Sequence, residues 1–400
     1  MHEPALQLSA SIRELDRELW NGLNLSSGAC PFLSWEFLAL LEESGAVGEA
    51  AGWQPLYAIL REGGHWLAAA PFYAVADPRG QFTWDGGMAA AADAYGLSWF
   101  PKLVGMVPFT PSPLWRPLAE AGPQGAGHAR ALIEAVSGLA REGGYSALHL
   151  QWIHPPLAEE LAAESSSRWL VWRRQAYLWA NGAYPDFEGY LGSFSKNMRR
   201  NVKREQAGLA RLGVETSIVP AAEASPRYWS LMADYYERTN GKFGPWAAQF
   251  LPRAFFELAP SYLGPYARFS AAFLSDSREA GASGPSGEEP LALALLLEGG
   301  GRLWGRYWGT REDLPGLHFD VCYYRPIAYA IERGLQSFDP GMGGDHKARR
   351  GFKAIVSPSL HRVFDRRLAA LFGRALKEAS AAEEAFAAEL NKELPFKARA

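Results

Sequence analysis

Cysteine is scarce. Only Cys30 and Cys322 occur in 400 residues, far apart and without a C-x-x-C spacing. A disulfide framework and a cysteine zinc motif are thereby excluded, and a reducing compartment is expected. Long hydrophobic runs are also missing: the longest strongly apolar one, residues 290–297, is far too short to span a membrane. Residues 1–11 have neither a basic n-region nor an apolar h-region, so a cytoplasmic protein without stable membrane insertion is expected. Charge of one sign is not in excess, and a net −3 argues against wholesale nucleic-acid binding while leaving room for a local basic patch. Neither a P-loop nor a G-x-S-x-G motif occurs, which argues against a kinase or a serine hydrolase.

What is present is a globular composition, 48% hydrophobic, with fifteen tryptophans suited to large cores. The length predicts two domains. Hydrophobic spacing predicts a strand at 6–12 and helices at 13–23 and 35–43, the second capped by Ser34. Strands follow at 53–60 and 65–75 around a Gly63-Gly64 turn, with a continuation at 82–84. Two prolines flank Phe109-Thr110, which suits an edge or a binding loop. A helix at 129–141, a strand at 147–152, a helix at 157–163 and a strand at 169–179 complete the first half.

The second half runs in a similar order. Helices are expected at 184–190, 194–211, 228–240 and 246–258, with strands at 214–219, 269–274 and 290–297. The Gly/Ser/Glu-rich stretch 275–289 reads as a flexible hairpin loop. Two runs of one α/β order suggest a tandem duplication, although no literal repeat is visible. Residues 366–390 form an Ala/Glu-rich terminal helix or helix pair.

Residues 303–351 are the most informative. A strand at 303–308, a polar loop, a helix at 318–333 closed by Gly334 and a strand at 335–338 lead into Asp339-Pro340-Gly341-Met342-Gly343-Gly344-Asp345-His346-Lys347. In α/β folds ligands gather at the carboxyl ends of strands, so this loop is a candidate site, although a tight turn alone would also explain its glycines. Upstream, Lys196, Arg199, Arg200, Lys203 and Arg204 share one helical face opposite Phe194, Met198, Val202 and Leu209. Such a stripe suits a phosphate-bearing ligand (a nucleotide, a tRNA or a lipid headgroup) or is a solvated face.

These residues carry a family resemblance. The run from Leu191-Gly192-Ser193-Phe194 through Arg199-Arg200-Asn201-Val202-Lys203-Arg204, ending at Gly213-Val214, resembles the basic-helix signature of Fem-type peptidoglycan aminoacyltransferases. Arg306-Tyr307-Trp308-Gly309, Leu317-His318-Phe319-Asp320-Val321-Cys322-Tyr323-Tyr324 and Gly344-Asp345-His346-Lys347 are similar to the FemAB-like peptidoglycan biosynthesis/recognition family. So are Pro101-Lys102 and Val107-Pro108-Phe109-Thr110-Pro111. The likeness spans roughly residues 5–365. Asp320 and Asp345 stand where glutamates are expected, and Met342 interrupts the glycine loop.

The resemblance implies an α/β fold of two tandem GNAT-like (acyl-CoA N-acyltransferase) domains plus a C-terminal helical tail. The expected boundaries are 1–180 and 181–365, with a helical extension at 366–400. It implies transfer of an acyl or aminoacyl group to an amine on a peptidoglycan precursor, with acyl-CoA or aminoacyl-tRNA as donor. Partners would be a phosphate-bearing small molecule or cell-wall precursor, and tRNA. Two alternatives stand beside this: an acetyl-CoA-dependent N-acetyltransferase of small amines, and a non-catalytic module binding a phosphorylated glycan or lipid. Where GNAT enzymes place a glycine-rich pyrophosphate loop, this chain has Thr310-Arg311-Glu312-Asp313-Leu314-Pro315-Gly316, whose acids and proline oppose phosphate.

Amine acylation needs a base, which suits His346 with Asp345 orienting it and with His318 and Asp320 approaching the same cleft. His318 or Asp320 would otherwise cap the helix. The expected substrate-binding set is Lys196, Arg199, Arg200, Lys203, Arg306, Tyr307, Tyr323, Lys347 and Lys102. Lys347 or Arg306 would neutralise a phosphate or the oxyanion. No metal is expected, since His318, Asp320, Asp345 and His346 match no standard ligand spacing.

Overall fold

A computed structural model describes residues 4–83, 85–163, 169–244, 247, 249–274 and 289–397. The expected loop at 275–289 lies outside them except for Glu289, as do Trp84 and the expected helix start at Trp246. Strands are β1 (Ala5–Ser9), β2 (Trp53–Glu62), β3 (His65–Val75), β4 (Lys102–Gly105), β5 (Leu118–Ala119), β6 (Ala147–Leu150) and β7 (Leu170–Ala180), then β8 (Val214–Pro220), β9 (Ala267–Leu274), β10 (Ala292–Gly299), β11 (Arg302–Thr310), β12 (Ser337–Asp339) and β13 (Lys353–Val363). Helices are α1 (Arg17–Ser26), α2 (Trp35–Glu43), α3 (Gly86–Ala94), α4 (Pro123–Glu142), α5 (Pro155–Ala163), α6 (Phe187–Gly192), α7 (Lys196–Arg211), α8 (Arg227–Gly241), α9 (Arg253–Leu263), α10 (Leu317–Phe319), α11 (Arg325–Glu332) and α12 (Arg366–Asn391).

The chain divides into two compact units, residues 1–175 with 356–387 and residues 176–355 with 388–400. In the first unit the strand order is β1-β2-β3-β4-β6-β13, with β5 beside β3. Neighbours are antiparallel except β4 and β6, which run parallel. Helix α4 lays Leu132, Ile133 and Val136 into a core with Trp115, Leu148, Leu150 and Leu360. It starts six residues earlier than its apolar spacing suggests, because Gly122, at φ +99°, turns the chain and Pro123 is compatible with a first helical position. Most of α12 belongs here, with Leu368, Phe372 and Leu376 against Trp99 and Trp172. Ser34 caps α2 as expected, accepting from the Phe37 N–H at 3.2 Å. The proline-flanked loop is irregular, as expected, but it is buried: the Phe109 ring lies 5.1 Å from that of Trp53. Residues 82 and 83 form no strand.

The second unit repeats the pattern as β8-β9-β10-β11-β12-β7. β8 to β11 are successively antiparallel, β11 and β12 are parallel, and the end of β7 is antiparallel to β12. Its core joins Leu209 of α7 to Val214, Ala272, Leu291, Leu317 and Val321. The expected helix at 246–258 begins only at Arg253, because Pro252 holds an extended backbone before it. Strand β13 was not expected, since Pro358 interrupts its apolar pattern. Cys30 and Cys322 are free thiols. Among the described residues no helix is long and apolar enough to cross a membrane.

Candidate active site

Strands β11 and β12 pair only from Arg302 with Ser337 to Trp304 with Asp339, after which β11 continues without β12. A parallel pair that parts in this way opens a crevice at its carboxyl end. At that point β11 carries a bulge. Gly305 faces Leu296 and Tyr307 faces Leu295, leaving Arg306 as the extra residue. Bulges re-aim side chains, and Arg306 is the one re-aimed here.

The loop after β12 is fixed from both ends. The Gly341 N–H donates to Asp339 at 2.8 Å, and the buried Lys347 ammonium donates to the carbonyls of Gly341 (2.9 Å) and Met342 (3.2 Å). Lys347 also sits 5.4 Å from the Tyr177 ring centre. Burial lowers its pKa to about 8, against a rise from Asp339. Gly344 has φ +84°, and a Cβ there would fall 2.6 Å from Cε1 of the His346 ring. Only glycine lets the ring fold back over this turn.

Opposite the loop, the expected helix at 318–333 is broken into three: α10, a π-helical turn from Asp320 to Tyr324, and α11. Such turns recur at functional sites. The Tyr323 hydroxyl lies 3.1 Å from His346 Nε2. The His318 ring packs at a tilt against Trp308, 4.4 Å between centres, and lies 5.8 Å from the His346 ring. Burial, then His346, Lys347 and Arg350, push the His318 pKa down to about 3. That of half-buried His346 is lowered by burial, then by Arg350 and Lys347, with Asp345 opposing. Both imidazoles are therefore neutral near pH 7, the form in which a histidine accepts a proton.

His346, His318 and Tyr323 are thus in mutual contact, with the Lys347 charge beside His346 and the Arg306 charge within reach of Lys347. Asp345 is exposed, and the ring of His346 is held by Tyr323. Asp320 accepts from Gln206 of α7 at 3.4 Å, and burial raises its pKa. Neither Asp320 nor His318 caps the start of α10, where Gly316 stands; Asp320 closes its end through its backbone N–H, which donates to the Leu317 carbonyl. Tyr307 packs on Tyr236, 5.0 Å between centres, and on Phe256. On α7, Lys196, Arg200 and Lys203 are exposed and Arg199 is half-buried; Lys203 pairs with Glu188 at 2.7 Å. Lys102 lies in the first unit, fully buried against Asp85. Among the described residues, no cluster of three or more His, Cys, Asp or Glu side chains could hold a metal ion.

Sequence reasoning missed Glu205, Phe319, Tyr324 and Arg350. Arg350 donates to Glu205 at 3.1 Å and to the His346 carbonyl at 3.2 Å, with its guanidinium carbon 3.3 Å from the Phe319 ring centre. The one available signal was Glu205 itself, the single acid of α7.

The family model for FemAB-like proteins, described as peptidoglycan biosynthesis/recognition, matches residues 11–398. The chain belongs to this family. No curated protein matches it. Among solved structures it is similar to the C-terminal domain of a protein from Agrobacterium fabrum named as a lysylphosphatidylglycerol synthetase. That pair has a TM-score of 0.53 and 12% identity over 92% of this chain and 97% of the other. A conserved protein of unknown function from Bacteroides thetaiotaomicron gives 0.52 and 10% over 90% and 100%. FemX gives 0.48 and 11% over 83% and 93%. The fold class is α/β, with two copies of one arrangement visible in the two matching strand orders.

Proposed function

We propose that this FemAB-like protein is a transferase that moves an acyl or aminoacyl group onto an amine of a peptidoglycan precursor in the cytoplasm. The observation that carries the reading is the neutral, half-buried His346, held by Tyr323 in the crevice where β11 and β12 part. With its proton on Nε2, donated to the Tyr323 oxygen, the imidazole has a lone pair on Nδ1. That nitrogen takes the proton of the attacking amine. The amine nitrogen bonds to the acyl carbon, and Arg306 steadies the resulting oxyanion. Collapse expels the leaving thiolate or ribose oxygen, which takes the proton back from His346. Lys347 orders the loop from within, because its ammonium donates to the loop carbonyls of Gly341 and Met342.

Family membership supports the cell-wall link, and the stripe of Lys196, Arg199, Arg200 and Lys203 suits the phosphates of a nucleotide-linked precursor or of tRNA. Burial of both Asp345 and His346 in ion pairs would have favoured a non-catalytic recognition module, but Asp345 is exposed. Thermal unfolding of the purified protein with acetyl-CoA, aminoacyl-tRNA or a UDP-linked muropeptide tests the reading, since a ligand of the folded state raises the melting temperature. Stabilisation by the muropeptide and one donor, with amide formation between them, is the expected result. Stabilisation without product under any donor would sink it.

A further inference from the structure

We propose that Glu205 and Arg350 are positioning residues for His346, joining the basic helix α7 to the reacting centre. The inference rests on the assignment of His346 as the base.

The contacts close into a ring. The His346 imidazole meets the Tyr323 hydroxyl at 3.1 Å. The next residue, Tyr324, donates its hydroxyl to Glu205 at 2.5 Å. The other Glu205 oxygen accepts from Arg350 at 3.1 Å, and a second arm of Arg350 donates to the His346 carbonyl at 3.2 Å. His346 is thus gripped by its ring from one side and by its backbone from the other. Both grips return to consecutive residues of the same π-helical turn.

The groups themselves are restrained. The Arg350 plane stacks on Phe319, whose ring lies 5.4 Å from that of His346, and the Arg350 carbonyl accepts from Tyr190 at 3.1 Å. The planar fork of Arg350 reaches a carboxylate and a carbonyl from two separate arms while lying flat on Phe319, which the compact ammonium of a lysine does not reproduce. Gly316, at φ +87°, lets the chain pass the backbone of Glu205, where an added Cβ would meet the Glu205 Cβ at 3.4 Å. An acid on a face meant only for polyanions would weaken it, whereas Glu205 is half-buried and turned to Arg350 and Tyr324.

The charged and titratable groups facing His346 are Arg350, Lys347, Asp345, His318 and Tyr323. Arg350 disfavours protonation of the ring, and Glu205 offsets part of that charge. Removing the charge of Arg350 and removing that of Glu205 therefore act on the His346 titration in opposite directions.

The test is carbon-13 histidine NMR on the full chain, with the His346 signal identified by its loss in His346→Gln. Arg350→Gln should move the His346 titration to higher pH, and Glu205→Gln should move it lower. Turnover is followed as thiol release from acetyl-CoA or deacylation of aminoacyl-tRNA, with a UDP-linked muropeptide as acceptor. Both variants should lose about tenfold or more in kcat, up to the roughly hundredfold that a misplacement of about 1 Å can cost, with KM nearly unchanged. Arg350→Lys should not restore it. If Arg350→Gln fails to fold, Glu205→Gln carries the test alone. Loss of turnover in His346→Ala with the titration unmoved in the folded variants overturns this inference and leaves the base standing. Full turnover in folded His346→Ala overturns both.

Discussion

The two units have one strand order and opposite uses for it. In each, four strands run successively antiparallel, the fourth pairs in parallel with a fifth, and a sixth from elsewhere in the chain pairs antiparallel with that fifth. In the second unit the parallel pair parts over Arg306, His346 and Tyr323. In the first the same place is filled. Trp115, fully buried, lies against Gly105 at the end of β4, where a Cβ would meet its ring at 2.5 Å. Its backbone N–H donates to the Trp152 carbonyl at 3.1 Å and its carbonyl accepts from the His154 N–H at 2.9 Å, so the chain beyond β6 is zipped to the Trp115 backbone. The indole N–H donates to the Pro71 carbonyl at 2.9 Å. The first unit's ionisable groups are sealed inside: Lys102 against Asp85, and His149 Nδ1 2.6 Å from His361 Nδ1. Topology supplies the crevice twice, and the side chains decide that one is a plug and the other a site.

That contrast makes the largest prediction a matter of stability. Lys102→Met strands the Asp85 carboxylate in the first unit's interior, a loss on the order of 3–5 kcal/mol in urea unfolding. The double variant Lys102→Met/Asp85→Leu should recover much of it, since two apolar residues replace a desolvated pair. A single variant as stable as the parent would mean that the pair is not sealed from water.

In the second unit the corresponding change should cost turnover and spare the fold. His346→Ala is expected to lose about a hundredfold in kcat, the usual scale for a general base, or about 2.7 kcal/mol of barrier. Its unfolding midpoint should change little, because among the described residues half-buried His346 has Tyr323 as its one side-chain hydrogen-bond partner. A large stability loss with turnover per folded molecule intact would make the second unit resemble the first.

Acid should act on both units alike. His318 and His361 each have a pKa near 3 when folded, set first by burial, against about 6.5 when unfolded. Between those values the unfolded chain binds the proton and the folded chain does not. Stability therefore falls as pH drops from 6.5 towards 3, by about 1.4 kcal/mol per pH unit for each histidine. Urea unfolding at pH 5 and 6.5 reads the slope. His361→Asn in the first unit and His318→Gln in the second should each remove one histidine's share. A slope unchanged by His318→Gln alone would place that ring in water, and the comparison would favour a wider crevice.

Much of this was legible in the sequence, for physical reasons that also mark where legibility ended. Period-two and period-3.6 spacing found most of the strands and helices, and the glycines with His346 pointed to the loop after β12 because few other sequences bend so tightly. Residues distant in sequence were harder. His346 and Tyr323 could be named separately, but their 3.1 Å contact depends on a π-helical turn that leaves no mark in a helical pattern. Lys102 was read as a substrate contact because its dipeptide matches the family, and nothing local reveals that Asp85, seventeen positions earlier, is its partner. Strand β13 was lost to Pro358. Its antiparallel pairing with β6 runs from Leu360 to Val363, beyond the proline.

The smallest expected effect separates the two jobs that a charge on α7 could have. Lys203 meets Glu188 at 2.7 Å, but both side chains are more than half exposed, so water screens the pair and ordering two long side chains offsets its attraction. Lys203→Ala should shift stability by less than about 1 kcal/mol. If the stripe contacts phosphates, Arg199→Ala/Lys203→Ala should still weaken binding of a UDP-linked muropeptide, and the loss should shrink as salt rises from about 0.05 to 0.5 M, because mobile ions screen contacts at the surface. Titration calorimetry across that range reads both terms. An affinity that ignores both salt and the double substitution would leave α7 a solvated helix whose one inward residue of consequence is Glu205.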